Sequence, residues 1–290
     1  MIVDIGPTTL VASFKKDGKR LDLDRSYLEE RVKSILSELR DVLPLLKVKA
    51  YLIKKTSALP DVAKKMINAC MLVDGKTLTP MAAVAGAVSD VLIERVIEDW
   101  DVDFAYINNG GDISAYSKRK TYFRIKVADI NSSTLIDPIF VLSGLERVGV
   151  ATSGFGGRSF TLGICDLVTV FAESGAIADA SATFICNATY VDSPSVKKKR
   201  AKDLDPLSDL DEEVVVFRGK LTYPEMKKAL ESGLDVAYKL KKSKVIFDAY
   251  LRIGDLSGTT INEDSRNIKM EGQDGDTKNS NSNRGDIRGW

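Results

Sequence analysis

The chain has 290 residues, 44% of them hydrophobic, and a formal net charge of +1. It is long enough to bury a sizeable core in one large domain or two small ones, and its charge gives no reason to expect nucleic acid or a membrane as the main partner. The sequence contains no histidine, which excludes Ser-His-Asp triads, imidazole proton shuttles and histidine-ligated zinc. Any chemistry must use carboxylates, lysine, tyrosine, hydroxyls, backbone dipoles or an oxygen-ligated metal.

The N-terminus and the cysteines indicate the cellular compartment. The first residues carry Asp4 and no basic region ahead of a long apolar core, so we do not expect a secretory signal. No apolar run approaches the roughly 18 residues that are needed to span a bilayer. The three cysteines (Cys70, Cys165 and Cys186) lie far apart in apolar contexts. We expect them to be reduced core residues of a cytoplasmic protein.

The first quarter of the chain alternates between strand and helix patterns. Residues 1–14 predict one or two strands, and the apolar spacing over 25–42 predicts an amphipathic helix. Residues 49–53 predict a further strand, and 60–73 a second helix that ends at an Asp-Gly turn. We expect these elements to contribute to the hydrophobic core, and they contain no candidate catalytic or ligand-binding residues.

The next segment, residues 79–100, has the pattern of an unusual helix. Thr79 is a suitable N-cap, and Pro80 suits the first helical position. Residues 81–88 (MAAVAGAV) carry almost no bulky side chain. Gly86 inside a helix costs about 1 kcal/mol relative to alanine, and two explanations for it remain open. Another backbone could pack closely there, or a ligand could lie against the helix.

Two glycine-rich turns follow, each next to predicted strands. The first is NNGGD, residues 108–112, between strands predicted at 103–107 and 113–116; the second is SGFGG, residues 153–157. Consecutive glycines can present backbone N–H groups to an anion, but a tight turn selects the same residues. The second turn is not a Rossmann fingerprint, because its glycine spacing differs and a strand follows it.

A buried strand predicted at 164–171 leads into a helix of small residues that begins at Gly175. Asp179 and Thr183 are four residues apart, so their side chains project from one helical face. A carboxylate beside a hydroxyl suits a hard cation such as Mg²⁺. The alternative is a surface aspartate beside a threonine that bonds its own backbone.

The last third contains a charged segment, regular elements and a polar end. We expect residues 192–212 to form a charged connector, in which the basic run 197–200 is either a solvated loop or a phosphate-binding patch. A strand at 214–218, a helix at 224–240 and a strand at 244–253 are predicted next. Few apolar residues follow, so we expect a domain of residues 1–255 and a disordered polar tail of residues 256–290.

Four segments in this order resemble the motifs of the ApbE superfamily, whose best-known members are FAD:protein FMN transferases. They are TPMAAVAGAVSD (79–90), INNGGDIS (107–114), GVATSGFGGRS (149–159) and AIADASATF (176–184). The resemblance extends over roughly residues 1–255 and is strongest to an uncharacterised ApbE-related branch of archaea and bacteria. It implies an α+β fold in which two related sheet-and-helix units pack together, with the ligand near their junction.

The resemblance also implies roles for individual residues. Asp179 and Thr183 match the residues that hold Mg²⁺ in the transferases, helped by a backbone carbonyl near Ala82. The segments that match the FAD site, together with the helix position considered above, give the expected cofactor-binding residues: Ala82, Gly86, Asn109, Gly110, Gly111, Asp112, Thr152, Ser153 and Gly154.

The chain departs from the transferases at two places. They have Lys-Gly-Tyr where this chain has Ala85-Gly86-Ala87, so a cationic contact to the ligand is missing. They also have a His-Ile-Ile-Asp-Pro-Arg-Thr-Gly loop, whereas residues 160–163 here run almost straight into the next strand. The pattern indicates a retained scaffold without the transferase loop.

We therefore expect an ApbE-like protein that binds a flavin nucleotide (FAD or FMN) or a related nucleotide with Mg²⁺, and the sequence leaves open whether it is an enzyme. One alternative is an active FAD:protein FMN transferase or FAD pyrophosphatase with altered catalytic residues, in which Asp166 is the better candidate base and Asp112 the other. A second alternative is a non-catalytic scaffold subunit. The expected partner is a small nucleotide-type ligand, with neither nucleic acid nor membrane, and the sequence does not specify an oligomeric state.

Overall fold

The structure, a computed structural model, describes residues 1–127, 138–157 and 159–271. The helices in these ranges are α1 (Arg25–Leu46), α2 (Asp61–Asp74), α3 (Val84–Trp100), α4 (Gly175–Asn187), α5 (Ala201–Leu204) and α6 (Tyr223–Lys242), with short 3₁₀ helices at Ala50–Leu52 and Pro80–Ala83. The strands are β1 (Ile2–Ile5), β2 (Thr8–Lys16), β3 (Lys19–Leu21), β4 (Phe104–Asn109), β5 (Asp112–Ser117), β6 (Phe123–Lys126), β7 (Ile139–Leu142), β8 (Arg147–Ser153), β9 (Leu167–Ala172), β10 (Val196–Arg200), β11 (Glu213–Arg218), β12 (Asp248–Ile253), β13 (Leu256–Thr259) and β14 (Ile268–Glu271).

One antiparallel sheet runs through the molecule. Over the described residues it has nine strands in the order β1-β2-β4-β5-β8-β9-β12-β13, with β3 paired to β2. The pairing of β8 with β9 joins the half built by the N-terminal segment to the half built by the C-terminal segment. All six residues of β9 are buried, as expected for a strand that is covered on both faces.

The two faces of the sheet are covered differently. Along β9, Val168 and Val170 belong to the core under α4 and α6, whereas Leu167 and Phe171 belong to a core on the opposite face. This alternation follows from the period of two along a strand. A small sheet, β14-β7-β6, covers the opposite face, and Phe140 of β7 packs on Phe171 with ring centroids 4.9 Å apart.

The helices lie in two groups on one face of the sheet. α1, α2 and α3 pack over the N-terminal strands, and α4 and α6 pack over β9 and β12. The predicted α+β class is confirmed, and the two sheet-and-helix units are the halves of one continuous sheet.

Helix α4 is central because its side chains are small. Its four alanines at 176, 178, 180 and 182 are at most 2% exposed. The helix contacts α2, α3, α6, β8 and β9. Small residues permit this close approach on several sides, which agrees with the predicted helix of small residues from Gly175.

The N-terminal half differs from the sequence predictions at two elements. Residues 50–52 form a 3₁₀ helix and not a strand, because the backbone N–H groups of Ala50 and Tyr51 bond the carbonyls of Leu78 and Gly75 instead of a neighbouring strand. The predicted helix 79–100 is divided into the 3₁₀ helix Pro80–Ala83 and α3.

The C-terminal half differs at the connector and at the tail. The basic run of the predicted connector forms strand β10, which pairs with β11. Strand pairing uses backbone hydrogen bonds, so a strand with charged, exposed side chains can still form. The predicted disorder is wrong for residues 256–271, because β13 pairs with β12 and β14 pairs with β7. The rest of the predicted tail, residues 272–290, lies outside the described residues. None of the helices in the described ranges is both long enough and apolar enough to cross a bilayer.

Candidate functional site

The N-termini of α3 and α4 meet at a crossing that requires glycine, which we call the helix crossing (Gly86, Gly149, Ser174 and Gly175). A Cβ added at Gly86 would overlap the carbonyl of Gly175 and lie 2.7 Å from the N atom of Ala176. A Cβ added at Gly149 would overlap the carbonyl of Ser174. Backbone therefore fills the space beside Gly86. Of the two explanations for this glycine, this favours close packing of another backbone over a ligand that lies against the helix.

Asp90 of α3 caps the first turn of α4 at the helix crossing. Its Oδ1 accepts hydrogen bonds from the N–H of Gly175 (2.9 Å) and the hydroxyl of Ser114 (2.6 Å), and its Oδ2 accepts from the N–H of Ala176 (2.9 Å). Burial raises the pKa of Asp90, and these three hydrogen bonds act against that rise. A buried carboxylate whose two oxygens are bonded in this way fixes the start of α4.

Asp179 of α4 makes the reciprocal contact. Its Oδ2 accepts a hydrogen bond from the N–H of Gly86 at 3.1 Å, so α3 and α4 each cap the other. Burial raises the pKa of Asp179 well above its usual range, the negative charge of Asp112 raises it further, and Asp90 contributes in the same direction. Hydrogen bonds from the backbone of Gly86 and Ala85 lower it in part. Desolvation and the neighbouring carboxylates thus disfavour the ionised form of Asp179.

The first glycine turn lies against the start of α3. Asn109, Gly110, Gly111 and Asp112 connect β4 to β5, and both glycines have positive φ, 65° and 119°. The N–H of Gly111 donates to Oδ1 of Asn108 at 2.8 Å, and the amide of Asn109 donates to the carbonyl of Ala85 at 3.2 Å. The turn geometry accounts for the glycines, and the hydrogen bond from Asn109 holds the turn beside Asp179.

The second glycine segment begins at the end of β8. The N–H of Thr152 donates to Oδ1 of Asp112 at 3.3 Å, and the Thr152 hydroxyl pairs with that of Thr169 at 2.9 Å. Ser153 is partly exposed. A Cβ at Gly154 would overlap the carbonyl of Asp166, so Gly154 is explained by its packing against the entrance to β9.

Asp166 lies in a separate ion-pair network. Its Oδ1 pairs with the guanidinium of Arg218, and its Oδ2 accepts the N–H of Gly254 at 2.6 Å. Arg218 also donates to the carbonyl of Ile164 at 2.5 Å and stacks over Phe155 at 5.2 Å from its ring centroid. A general base needs a lone pair aimed at the substrate, and both oxygens of Asp166 already accept hydrogen bonds. The catalytic role of Asp166 stays a prediction.

The two remaining predicted residues lie on elements that contact each other. Thr183 is one turn beyond Asp179 on α4 and is partly exposed, and its hydroxyl makes no hydrogen bond to the described part of the chain. Ala82 is partly exposed in the 3₁₀ helix before α3, where its N–H donates to the carbonyl of Thr79 at 3.1 Å. α4 packs against this 3₁₀ helix.

Two carboxylates of this region were not predicted from the sequence. Asp90 is the last residue of the motif segment 79–90. The only feature of the sequence that could have pointed to it is a carboxylate on an otherwise apolar helical stretch. Asp209 lies in the predicted connector but accepts a hydrogen bond from the hydroxyl of Thr79, 130 positions away. Spacing along the chain cannot reveal such a contact.

The oxygen donors of the site fit Mg²⁺ only when it is shared with a ligand. In the described ranges, no three side chains of His, Cys, Asp or Glu converge as a metal cage. Asp179, the hydroxyl of Thr183 and the carbonyl of Ala82 are hard oxygen donors, and Mg²⁺ commonly takes one or two carboxylates and completes its shell with water and phosphate. A bound cation would favour the ionised form of Asp179, which desolvation and the charge of Asp112 disfavour.

A pocket of about 160 Å³ opens beside Asp90 and not beside Asp179. Its basic residues are paired, since Lys65 lies 2.9 Å and Arg147 lies 3.6 Å from Oε1 of Glu94. The pocket therefore offers no unpaired cation for a phosphate, and it does not include the predicted ligand residues.

A model of the family described as "AbpE bacteria" matches residues 1–266. The chain belongs to this family. The match covers all four motif segments and confirms the predicted membership of an uncharacterised ApbE-related branch. It also extends beyond the predicted boundary at residue 255.

Relatives of this AbpE family chain include several archaeal proteins named UPF0280. The chain is 37% identical to the protein from Methanopyrus kandleri over 166 residues, which are 55% of this chain and 63% of that protein. It is 35% identical to the one from Methanothrix thermoacetophila over 133 residues, 46% of this chain and 54% of that protein. The match thus spans less than two thirds of the length of these relatives.

Among solved structures, the fold is similar to two ApbE proteins. The flavinyl transferase ApbE of Pseudomonas stutzeri in its apo form is 15% identical, with a TM-score of 0.49 over 90% of this chain and 92% of that chain. The flavin transferase ApbE of Vibrio cholerae is 12% identical, with a TM-score of 0.48 over 93% and 95%.

Proposed function

We propose that this AbpE family chain binds a flavin nucleotide, FAD or FMN, together with Mg²⁺ where α3, α4 and the two glycine-bearing segments meet. The observation that carries the proposal is the convergence on Asp179. This half-buried carboxyl group contacts Gly86, is repelled by the charge of Asp112, and lies beside a turn that also bonds Ala85 and Thr152. Four segments distant in sequence thus contact one another around one carboxyl group.

The residues of the chain would divide the work of binding. Asp179, the Thr183 hydroxyl and the Ala82 carbonyl would hold Mg²⁺, and Asp112 and Asn109 would fix the turn beside them. When bound, Mg²⁺ supplies positive charge that neutralises phosphate oxygens. The choice of a flavin among nucleotides comes from the resemblance of the four motifs to the ApbE superfamily.

Binding without transfer is the better supported form of this function. The position of the transferase lysine is Ala85, and Asp166 is occupied by Arg218 and Gly254. No other candidate base emerges from the predicted set except Asp112, which already accepts the N–H of Thr152. We therefore propose binding as the function in preference to flavin transfer or FAD hydrolysis.

A scaffold without a ligand is the second candidate function, and one observation favours it. The helix crossing and the reciprocal caps account for Gly86 and Asp179 without any bound molecule. In that case the small side chains of α3 and α4 serve packing alone.

Calorimetry of the full chain with FAD and with FMN, in Mg²⁺ and in EDTA, separates the two candidates. We expect binding that requires Mg²⁺, that Asp179→Asn abolishes and that Asp41→Asn preserves, since Asp41 is an exposed aspartate of α1. Absence of Mg²⁺-dependent binding of either flavin to the wild type would contradict the proposal and leave the scaffold function.

A further inference from the structure

Residues 205–212, which we call the strap, connect the C-terminal half of the chain to the turn that precedes α3. Lys47 donates to the carbonyl of Leu207, and Lys49 pairs with Glu212 at 2.6 Å while also donating to the carbonyl of Thr77 at 2.8 Å. Burial opposes the ionised form of Glu212, but the hydrogen bond from Lys49 lowers its pKa overall. The strap is thus attached at both of its ends.

The middle of the strap is attached through Thr79. The hydroxyl of Thr79 donates to Oδ2 of Asp209, and Thr79 is only 2% exposed. Thr79 occupies the predicted N-cap position, here of the 3₁₀ helix, but its side chain makes no capping hydrogen bond to that helix. A buried hydroxyl needs an acceptor, and Asp209 provides it in place of the backbone.

Thr79 in turn fixes the position of Ala82. The carbonyl of Thr79 accepts the N–H of Ala82 at 3.1 Å and the thiol of Cys70 at 3.2 Å. These bonds link α2, Thr79 and the 3₁₀ helix into one unit. Any force that holds the side chain of Thr79 therefore also holds the 3₁₀ helix that carries Ala82.

Asp209 and Asp179 both lie close enough to Cys70 for their charges to act on its thiol. Burial raises the pKa of the Cys70 thiol, and the charges of Asp179 and Asp209 both raise it further. Asp209 is partly exposed, and its Oδ1 accepts no hydrogen bond from the residues that the structure describes. Its bond to Thr79 is thus its single tie to the body of the molecule in those ranges.

We infer that the strap positions the ligand site, with Asp209 acting through Thr79 to hold the 3₁₀ helix that carries Ala82 and packs against α4, the helix of Asp179. Asp209 is a positioning residue in this arrangement and does not touch the ligand. The consequence for binding rests on the proposed function, whereas the consequence for the 3₁₀ helix rests on the contacts alone.

Four variants separate the hydrogen bond from the charge. Asp209→Ala and Thr79→Val each remove the bond, Thr79→Ser keeps the hydroxyl, and Asp209→Asn keeps an acceptor while it removes the charge. Asp203→Ala is the matched control, because Asp203 is an exposed carboxylate of α5. The double variant Asp209→Ala/Thr79→Val tests whether the two residues act as one unit.

The first readout is amide hydrogen exchange of the full chain without ligand. We expect Asp209→Ala and Thr79→Val to speed exchange over residues 80–86 about tenfold, the size expected when one hydrogen bond to a charged group is lost. Exchange in β9 should not change, and Thr79→Ser and Asp203→Ala should match the wild type. Unchanged exchange over residues 80–86 in Asp209→Ala would overturn the inference.

The second readout is flavin affinity in the presence of Mg²⁺. We expect Asp209→Ala and Thr79→Val to weaken binding about five- to tenfold, with the double variant no weaker than either single variant. Thr79→Ser and Asp209→Asn should bind as the wild type does. Equal losses in Asp209→Asn and Asp209→Ala would show that charge acts directly, and would overturn positioning. If the wild type binds no flavin, the proposed function fails, and the exchange experiment alone decides the inference.

Discussion

Asp179 of α4 accepts the backbone N–H of Gly86 in α3 at 3.1 Å, and Asp90 of α3 accepts the backbone N–H of Gly175 in α4 at 2.9 Å. Each helix thus supplies an aspartate that caps the other. Asp90 is buried and Asp179 is half-buried, and desolvation raises the pKa of each carboxyl group. Their surroundings nevertheless differ. Asp90 accepts three hydrogen bonds, whereas Asp179 is also repelled by Asp112. The same substitution should therefore have opposite effects at the two positions.

Asp179→Asn should stabilise the protein without ligand. The amide removes a desolvated charge that Asp112 repels, and its oxygen can still accept the N–H of Gly86. We expect the free energy of unfolding to rise by about 1 kcal/mol, as is common when a functional group held at a cost is replaced. Urea denaturation in EDTA measures it, with Asp41→Asn as a surface control. A less stable variant would mean that capping outweighs repulsion at Asp179.

Asp90→Asn should destabilise the protein by about 2 kcal/mol. One carboxylate oxygen would become an NH₂ group facing the N–H of Gly175 or Ala176, and a buried donor would lose its acceptor. The same denaturation experiment measures the loss, and Ser114→Ala should cost less because it removes one of the three bonds. Wild-type stability in Asp90→Asn would show that the cap of α4 is dispensable.

The stability difference between Asp179→Asn and the wild type should depend on pH. The folded pKa of Asp179 is raised, so the stability that its protonation contributes is fully present below the unfolded pKa, about 3.9, and is lost as pH rises through the folded pKa. The asparagine of the variant does not titrate. The difference should be largest near neutral pH and shrink toward about pH 4.5. A difference that is constant with pH would contradict a raised pKa.

Gly86→Ala should destabilise the protein by about 3 kcal/mol or more, because the two helices must shift apart to admit the added methyl group. The added Cβ would overlap backbone at Gly175, which cannot rotate away as a side chain can. Gly219→Ala is the matched control, since its nearest neighbour is a ring atom of Phe217 at 3.3 Å, and it should change stability by less than about 1 kcal/mol. Thermal unfolding compares the two variants, and similar melting temperatures would contradict the packing at the helix crossing.

Most helices and strands of this fold could be predicted, because the periodicity of each depends on residues that are close together in the sequence. The pairing of Asp90 with Gly175 was not, since it joins positions 85 apart and depends on how two helices cross. Gly86 shows the limit clearly. Its presence inside a helix indicated close approach, but only the crossing shows that the approaching group is the backbone of α4.

The same limit applies to the candidate site. Asp112 and Asp179 were singled out from motif segments, and the structure places them near enough for their charges to interact. Asp166 followed from its position at the start of a strand, but its partner Arg218 comes from β11, 52 positions away. Strands β13 and β14 were missed because their pairing uses backbone groups that composition does not reveal.

The last prediction is that the chain does not transfer a flavin to a protein. Transfer needs a base for the acceptor hydroxyl, and Asp166 is held by Arg218 and by the N–H of Gly254. Asp166→Asn should therefore lower stability, by about 1–3 kcal/mol because it weakens a partly buried ion pair, and leave Mg²⁺-dependent FAD affinity within about twofold. Incubation with FAD, Mg²⁺ and a threonine-containing peptide should yield neither a fluorescent peptide band nor AMP. Arg218→Lys is the control that keeps a cation beside Asp166. A covalent flavin–peptide product that forms in the wild type and in Arg218→Lys but not in Asp166→Asn would overturn this prediction and make Asp166 the catalytic base of a transferase.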